Sequence, residues 1–289
     1  MDSAEQPLAV LAFDHRERAF GSVRSNGMTH EEIRRSKELI FEAFQTAVAR
    51  GVGRVRPGIL VDEQFGSHVA RRAIAAGVAV SMPVERAFAP ELTFEYGDDY
   101  REHLREFRPV CAKALVHYRT TDAPVIKRNQ LARLRELAGF LAEESILFML
   151  ELIVGQAAGS DGEIPTADAD ELCASMADVQ AAGVHVDLWK VEGLSTQVAA
   201  ARVAAQARSV HPPASCVVLG AGARHDVVDH WLDIASATPG FSGFAIGRSI
   251  WGGSIASWLD GDLSRAAAID QIASAYRSYA HRYAGVEVG

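Results

Sequence analysis

The sequence predicts an α/β protein folded as a single (β/α)8 (TIM) barrel over residues 1–289. Eight short apolar runs, suited to strands, alternate with eight longer amphipathic segments along the whole chain. No Ser/Pro-rich linker interrupts this alternation, and 289 residues suit one barrel domain. Several runs, such as 146–150, are apolar on both faces, which is typical of parallel strands covered by helices on each side.

The elements follow one another in strict alternation. The predicted strands are Leu8–Phe13, Gly58–Val61, Val78–Val84, Ala114–Tyr118, Ile146–Val154, Val186–Val191, Cys216–Gly220 and Gly243–Ile246. The predicted helices are Thr29–Arg50, Ser67–Ala76, Asp98–Arg105, Gln130–Glu144, Asp168–Ala182, Thr196–Ser209, His225–Ala237 and Leu263–Tyr283. Gly51, Gly77 and Gly183 each follow an amphipathic run, where a helix-ending residue is expected. An open doubly wound sheet is the alternative, but no Gly-x-Gly-x-x-Gly follows the first strand.

Charge and composition exclude several classes of partner. A net charge of -8 without a basic block argues against nucleic acid, and no apolar stretch reaches the roughly 18 residues that a membrane helix needs. The acidic N-terminus, 1–6, is unlike a signal peptide, so we expect a cytoplasmic protein. The three cysteines stand far apart, which favours buried or inert thiols over disulfides or a zinc site.

Charged residues in or beside the apolar runs are the candidates for chemistry, because barrel active sites lie at the C-terminal ends of strands. Lys190 lies inside strand six, where desolvation, together with a nearby cation such as Lys113, would favour the neutral amine that attacks a carbonyl. The alternative is a structural ion pair with Glu151 or Asp14, or a side chain whose tip reaches solvent.

The other three charged residues also admit two interpretations each. Burial of Glu151 in strand five is expected to raise its pKa, so that it carries protons near neutral pH; its alternative role is as counter-ion to a lysine. Asp14, after strand one, could orient a substrate hydroxyl, pair with a lysine or cap a turn. Lys113 opens the predicted strand four, where a lysine is usually solvated. Only the combination of the four indicates a catalytic site.

Two glycine-rich segments follow strands seven and eight. Gly220 and Gly222 lie in the first segment, and Gly247 precedes Arg248 in the second. In barrels these two loops commonly bind a phosphate through backbone N–H groups and a helix N-terminus, and an arginine adds a bidentate cation. The histidines show no close ligand spacing, since His225 and His230 are off a common helical face, so we expect no metal.

Six ordered segments resemble one family over nearly the whole chain. The sequence is similar to the aldolase-like domain found fused behind 2-deoxy-5-ketogluconokinase in bacterial inositol catabolism, which is related to the class I tagatose-bisphosphate aldolases. The segments are Phe13-Asp14-His15-Arg16, Met82-Pro83-Val84-Glu85, Lys113-Ala114-Leu115-Val116, Leu150-Glu151-Leu152, Trp189-Lys190-Val191-Glu192-Gly193-Leu194 and Gly243-Phe244-Ala245-Ile246-Gly247-Arg248. Ala221 departs from the pattern, in which an arginine is expected between the two glycines.

The resemblance implies a metal-independent aldolase without a separate cofactor. Lys190 would form a covalent imine, Glu151 would shuttle protons, and Asp14 with Lys113 would assist them. Gly220, Gly222, Gly247 and Arg248 would bind the phosphate. The implied reaction cleaves 2-deoxy-5-keto-gluconate 6-phosphate into dihydroxyacetone phosphate and malonate semialdehyde.

Two alternatives stay open at this point. One is an aldolase for another phosphosugar, such as tagatose 1,6-bisphosphate or a sulfosugar phosphate, and the other is a non-catalytic barrel that binds a sugar phosphate. A homo-oligomer is also open, because the aromatic residues near strand eight could serve an interface, although core packing is their commoner role. They are Phe241, Phe244, Trp251 and Trp258.

Overall fold

Eight parallel strands form a closed barrel in the order β1 to β8, which confirms the predicted (β/α)8 architecture. The computed structural model describes residues 6–24, 27–155 and 166–285, so most of the N-terminal stretch used for the localisation expectation lies outside the described residues. The strands are β1 Leu8–Ala12, β2 Arg56–Leu60, β3 Ala79–Pro83, β4 Cys111–His117, β5 Leu147–Ile153, β6 Leu188–Val191, β7 Ser215–Leu219 and β8 Phe241–Ile246.

The helices surround the barrel. They are α1 Glu17–Gly21, α2 His30–Ala49, α3 Glu63–Ala75, α4 Tyr100–Phe107, α5 Pro124–Glu143, α6 Ala169–Ala181, α7 Gln197–Ala207, α8 His225–Ser236, α9 Arg248–Leu259 and α10 Arg265–Tyr283. The sequence analysis missed α1 and α9. Helix α1 has 5 residues, too few for a periodic pattern, and α9 contains Gly252 and Gly253, which lower helix propensity.

An apolar layer inside the barrel closes it below the mouth. Alternate strand residues point inward, and those of the lower layer are buried together. They are Val10, Ala12, Leu60, Cys111, Met149, Leu188, Val217 and Ala245. Two larger apolar clusters lie outside the barrel wall and include residues of the surrounding helices. Charged side chains inside the barrel are thereby confined to the end where the strands terminate.

Closure of the barrel between β8 and β1 depends on a glycine. Gly243 has φ +143, and a Cβ there would lie 1.9 Å from the carbonyl oxygen of Leu8. Only glycine allows the two strands to approach so closely at this register. The same closure brings the glycine loop after β8 beside the end of β1, where Asp14 follows the strand.

The aromatic residues near β8 pack within the protein. Phe244 and Trp251 are fully buried, and Phe241 and Trp258 are partly buried against the core. Phe244 and Trp251 therefore pack in the core, as the commoner interpretation predicts. Among the helices in the described ranges, none combines the length and apolar character needed to cross a membrane.

Candidate active site

All eight residues predicted from the sequence as site residues line one cavity at the C-terminal end of the barrel. The cavity has a volume of about 590 Å³. Its lining includes Asp14, Lys113, Glu151, Lys190, Gly220, Gly222, Gly247 and Arg248. Charged groups from β1, β4, β5 and β6 therefore face glycine loops from β7 and β8 across a single space.

Lys113 is the centre of the charged cluster. Strand β4 begins at Cys111 rather than at the predicted Ala114, so Lys113 lies within the strand and points into the barrel, where it is 2% exposed. Its Nζ lies 2.9 Å from Asp14 Oδ2, 2.8 Å from Glu85 Oε1 and 3.0 Å from Glu151 Oε2. Three carboxylates thus converge on one ammonium group, and the solvated interpretation of this lysine is wrong.

Glu151 bridges the two lysines of the cavity. It is the register partner of Lys190 on the adjacent strand, and its Oε1 lies 2.9 Å from Lys190 Nζ while Oε2 lies near Lys113. Burial alone would raise the pKa of Glu151, as expected from the sequence, but the two ammonium groups outweigh burial and lower it. The expected direction was wrong, because it took account of burial and not of two cations.

Asp14 is the third member of the ionised cluster. Burial opposes its ionisation, but Lys113 and then Lys190 hold its pKa well below the usual range. Conversely, burial alone would lower the pKa of Lys113, but the charges of Asp14, Glu151 and Glu85 raise it well above its usual value. Asp14, Glu151 and Lys113 therefore keep each other charged at neutral pH.

Glu85 is a site residue that the sequence analysis did not single out. It lines the cavity just beyond β3, where the inward alternation of Ser81 and Pro83 continues to position 85. Burial raises the pKa of Glu85, with Lys113 and Arg16 opposing that effect. Its Oε2 is buried without a hydrogen-bond partner. The strand alternation was the signal that could have identified it.

The glycine loops after β7 and β8 form the wall of the cavity opposite the charged cluster. Ala221 and Gly222 adopt positive φ values of 50° and 73°, so the chain turns sharply after β7. A Cβ on Gly222 would lie 3.3 Å from Arg248 Cζ, and a Cβ on Gly220 would lie 2.7 Å from the side chain of Ile246. The positive φ of Gly222 favours glycine, and the Arg248 guanidinium lies against this turn.

Arg248 occupies the first position of α9, so the N-terminus of this unpredicted helix opens at the cavity. Its Nη1 donates a hydrogen bond to Ser22 Oγ at 3.3 Å, while its Nε is buried without a partner. A helix N-terminus and a guanidinium with an unused donor provide the groups that bind an anion.

His15 lies between the charged cluster and the glycine loops. A Cβ on Gly247 would lie 2.9 Å from the His15 ring. Burial lowers the pKa of His15 to about 3; Asp14 opposes that effect, and Arg248, Lys37 and Lys190 add to it. The imidazole is therefore neutral near pH 7. The sequence analysis assigned this histidine no role in the site.

A family model matches residues 2–285 and is described as an uncharacterized protein conserved in bacteria, DUF2090. The chain belongs to the DUF2090 family. No curated protein matches the sequence. The fold is similar to that of fructose-bisphosphate aldolase from Plasmodium falciparum, with a TM-score of 0.69 and 15% identity over 97% of this chain and 91% of that chain.

A second solved structure, Cgl0159 from Corynebacterium glutamicum, is also similar to this DUF2090 protein. It has a TM-score of 0.63 and 18% identity, covering 96% of this chain and 87% of that chain. At these identities the likeness establishes the shared barrel fold. The chemistry of the cavity has to be argued from the residues of the DUF2090 chain itself.

Behind the cavity wall, the DUF2090 chain contains a second buried ion pair. Lys37 of α2 and Asp62 are both 0% exposed, and Lys37 Nζ lies 2.5 Å from Asp62 Oδ1. The same ammonium donates hydrogen bonds to the carbonyl oxygens of Phe13 and His15, the latter at 2.9 Å. These carbonyls flank Asp14. Lys37 thus fixes the backbone on both sides of the cavity aspartate.

Proposed function

We propose that this protein is a Schiff-base aldolase that cleaves a phosphorylated ketose. The observation that carries the proposal is the amine of Lys190, 5% exposed in the cavity and 2.9 Å from a carboxylate of Glu151. An ammonium is rarely buried without a partner or a function, and a barrel that only bound a ligand would not need a lysine amine beside a carboxylate there. The fold shared with an aldolase is consistent with this proposal.

The first half of the reaction forms the imine. The Lys190 ammonium first gives a proton to Glu151, and the neutral amine then attacks the substrate ketone to give a carbinolamine. Glu151 is placed at this nitrogen to accept a proton from it and to deliver a proton to the departing hydroxyl, which leaves as water. Lys113 contacts the other oxygen of Glu151 and keeps the carboxylate oriented.

The second half breaks the carbon–carbon bond. A carboxylate of the cluster takes the proton from the hydroxyl on the carbon β to the imine, and that oxygen becomes the carbonyl of the departing aldehyde. The electron pair of the α–β bond flows into the iminium and leaves an enamine. Protonation of the enamine carbon and hydrolysis of the imine then release the second product and restore Lys190.

The substrate phosphate is proposed to bind at the opposite wall. Gly220, Gly222 and Gly247 allow close approach to the backbone, and Arg248 has an unused Nε donor beside the N-terminus of α9. Ala221 contributes no cation to this loop. Arg248 is therefore proposed as the main cationic contact of the phosphate.

The specific substrate that we propose is 2-deoxy-5-keto-gluconate 6-phosphate, cleaved to dihydroxyacetone phosphate and malonate semialdehyde. Its support is the resemblance of the six ordered segments, which include every charged residue of the cluster and Arg248. The same resemblance supports a role in carbohydrate catabolism. Cleavage rates should be compared with those for tagatose 1,6-bisphosphate and a sulfosugar phosphate.

Imine trapping tests the proposal. The protein is incubated with dihydroxyacetone phosphate, reduced with borohydride and digested, and the peptides are mapped by mass. We expect a stable adduct on Lys190 and none on Lys37, a buried lysine outside the cavity lining that serves as internal control. An unmodified Lys190 would overturn the proposal. Cleavage that resists EDTA would separate imine chemistry from zinc-dependent chemistry.

A further inference from the structure

The charged cluster at the cavity contains more carboxylates than ammonium groups. Asp14, Glu85 and Glu151 face only Lys113 and Lys190 within the cluster. All five side chains line the cavity. Burial disfavours ionisation of Glu85, and the nearby charge of Asp14 adds to that effect, while Lys113 and the buried Arg16 oppose it.

Glu85 differs from the other two carboxyls in its contacts. Asp14 lies near Lys113 and His15, and Glu151 contacts a lysine with each oxygen. Glu85 contacts Lys113 through Oε1 alone, and its Oε2 is buried with no partner. Since a buried acceptor without a partner has lost its hydrogen bonds to water and gained none, a proton or a substrate hydroxyl at Oε2 would replace the missing hydrogen bond.

The backbone holds Glu85 in a fixed position. Arg16 Nη1 donates a hydrogen bond to the Glu85 carbonyl oxygen at 2.8 Å and pairs with Glu95 at 2.7 Å. An isolated antiparallel bridge joins Glu85 to Phe94, and Glu95 N donates to Val84 O at 2.9 Å. The unpartnered oxygen is therefore presented by a supported segment, as a proton-transfer group requires.

We infer that Glu85 takes the proton from the hydroxyl β to the imine as the carbon–carbon bond breaks, and then delivers it to the enamine carbon. The step balances, because the oxygen that loses the proton becomes the aldehyde carbonyl and the carbon that received the bonding electrons gains the same proton. No additional reactant is needed. The inference rests on the proposed function, since both transfers require an imine on Lys190.

The pKa shifts of the three carboxyl groups support the assignment of this proton transfer to Glu85 and not to Asp14 or Glu151. The lysines lower the pKa of Asp14 and Glu151, which makes them weak bases, whereas burial raises the pKa of Glu85 toward the range where a carboxyl both accepts and donates protons. Charged groups around Glu85 come from the end of β1, from β4 and β5, and from its own segment. They are Asp14, Arg16, Lys113, Glu151, Arg86 and Glu95.

The test separates imine formation from bond cleavage. Glu85→Gln retains the size of the side chain but cannot carry the proton, and Glu85→Asp retains the acid on a shorter chain. Glu106→Gln is the control, because Glu106 also pairs with an arginine, Arg71, but is exposed and lies outside the cavity lining. Borohydride trapping with dihydroxyacetone phosphate and cleavage of the phosphorylated ketose best used by the wild type are measured for each variant.

We expect Glu85→Gln to trap dihydroxyacetone phosphate as the wild type does and to lose about 10²–10⁴-fold in cleavage kcat. Glu85→Asp should recover part of that loss, and Glu106→Gln should leave both readouts near wild type. The wild-type kcat should fall as the pH falls through the raised pKa of Glu85, and Glu85→Gln should lack that limb.

Failure of the proposed function and failure of the Glu85 assignment would give different experimental results. If the wild type traps no adduct on Lys190, the proposed function fails before Glu85 is tested. If the wild type forms the adduct and Glu85→Gln cleaves at the wild-type rate, only the assignment of Glu85 is overturned. Equal loss of trapping and cleavage in Glu85→Gln would also overturn it, because Glu85 would then be needed before the bond breaks.

Discussion

Two groups of buried charges lie on either side of the end of β1, and they differ in the ion pairs that their carboxylates make. In the outer pair, the Lys37 ammonium has Asp62 and two backbone carbonyl oxygens as acceptors, and Asp62 Oδ2 also accepts from Phe65 N at 2.9 Å. In the inner cluster, the carboxylates outnumber the ammonium groups, and Glu85 Oε2 has no partner.

This difference indicates separate roles for the buried charges of the outer pair and of the inner cluster. The outer pair is one-to-one, fully enclosed and attached to the backbone, so it can fix the chain beside Asp14 but has no access to a ligand. The inner cluster borders a cavity and lacks one partner, so protons can be exchanged there. Substitutions in the two groups should therefore affect different quantities, folding stability for the outer pair and turnover for the inner cluster.

The largest effect is expected from Lys190→Met. Loss of the covalent nucleophile should lower kcat by about 10⁵–10⁶-fold, the order seen when an enzyme loses such a group. The fold should persist, because methionine fills a similar volume at a site beside the cavity. Turnover and thermal unfolding are measured together. Retained turnover with an intact fold would remove Lys190 from the mechanism.

The next effect is expected from Lys37→Met in the outer pair. Leaving Asp62 as an unpaired buried charge should lower the free energy of unfolding by about 3–5 kcal/mol, measured by urea denaturation. Arg50→Met breaks an exposed pair between α2 and Asp270 and serves as control, with an expected loss of about 0–1 kcal/mol. If Lys37→Met lowered the free energy of unfolding no more than Arg50→Met does, the outer pair would not have the stabilising role that distinguishes it from the inner cluster.

A smaller effect is expected for Arg248→Met at the glycine loops. Removal of one charge-assisted contact, about 1.5–3 kcal/mol, should weaken binding of dihydroxyacetone phosphate by about 10–150-fold in calorimetry. Arg224→Met is the matched control, since Arg224 follows the same glycine turn but is exposed and pairs with Asp226. Equal affinities of the two variants would mean that the phosphate binds elsewhere.

The smallest effect concerns pH and contrasts two members of the inner cluster. Glu85 has a raised pKa, so its contribution to stability is present below its ordinary value of 4.5 and is lost as the pH rises through the folded value. Asp14 has a lowered pKa, so its contribution is present above 3.8 and is lost as the pH falls toward the folded value.

Denaturation at several pH values checks these signs. From pH 4 to pH 8, the stability of Glu85→Gln relative to the wild type should rise with pH, whereas that of Asp14→Asn should stay nearly constant there and rise only as the pH falls below 3.8. Parallel trends for the two variants would contradict the different acidities on which the division of roles depends.

The barrel and the positions of the main charged residues were predictable from sequence, because strand runs, helix ends and strand termini leave local patterns. The start of β4 was not, since Cys111-Ala112-Lys113 interrupts the apolar run with a charge. That error made Lys113 look solvated. Tertiary pairing with three carboxylates stabilises the buried lysine, and no local pattern reports such pairing.

The acidity of Glu151 and the role of Glu85 depended on register between strands. Glu151 lies opposite Leu115 on β4 and Lys190 on β6, a placement that sets how many ammonium groups reach it. A single sequence predicts which strands exist but not these cross-strand partners. Glu85 was overlooked because the predicted third strand ended at Val84, one residue before the point where the inward alternation of β3 places Glu85 at the cavity.

Three consecutive residues, 14–16, lie just beyond β1, and each contacts a different part of the site. Asp14 pairs with Lys113, His15 lies against Gly247, and Arg16 holds the Glu85 segment. An insertion or deletion in this tripeptide would misalign all three connections together, whatever residues it introduced. Engineering of substrate preference should therefore leave the length of this turn untouched and vary the rim formed by 87–91 instead, which lines the same cavity.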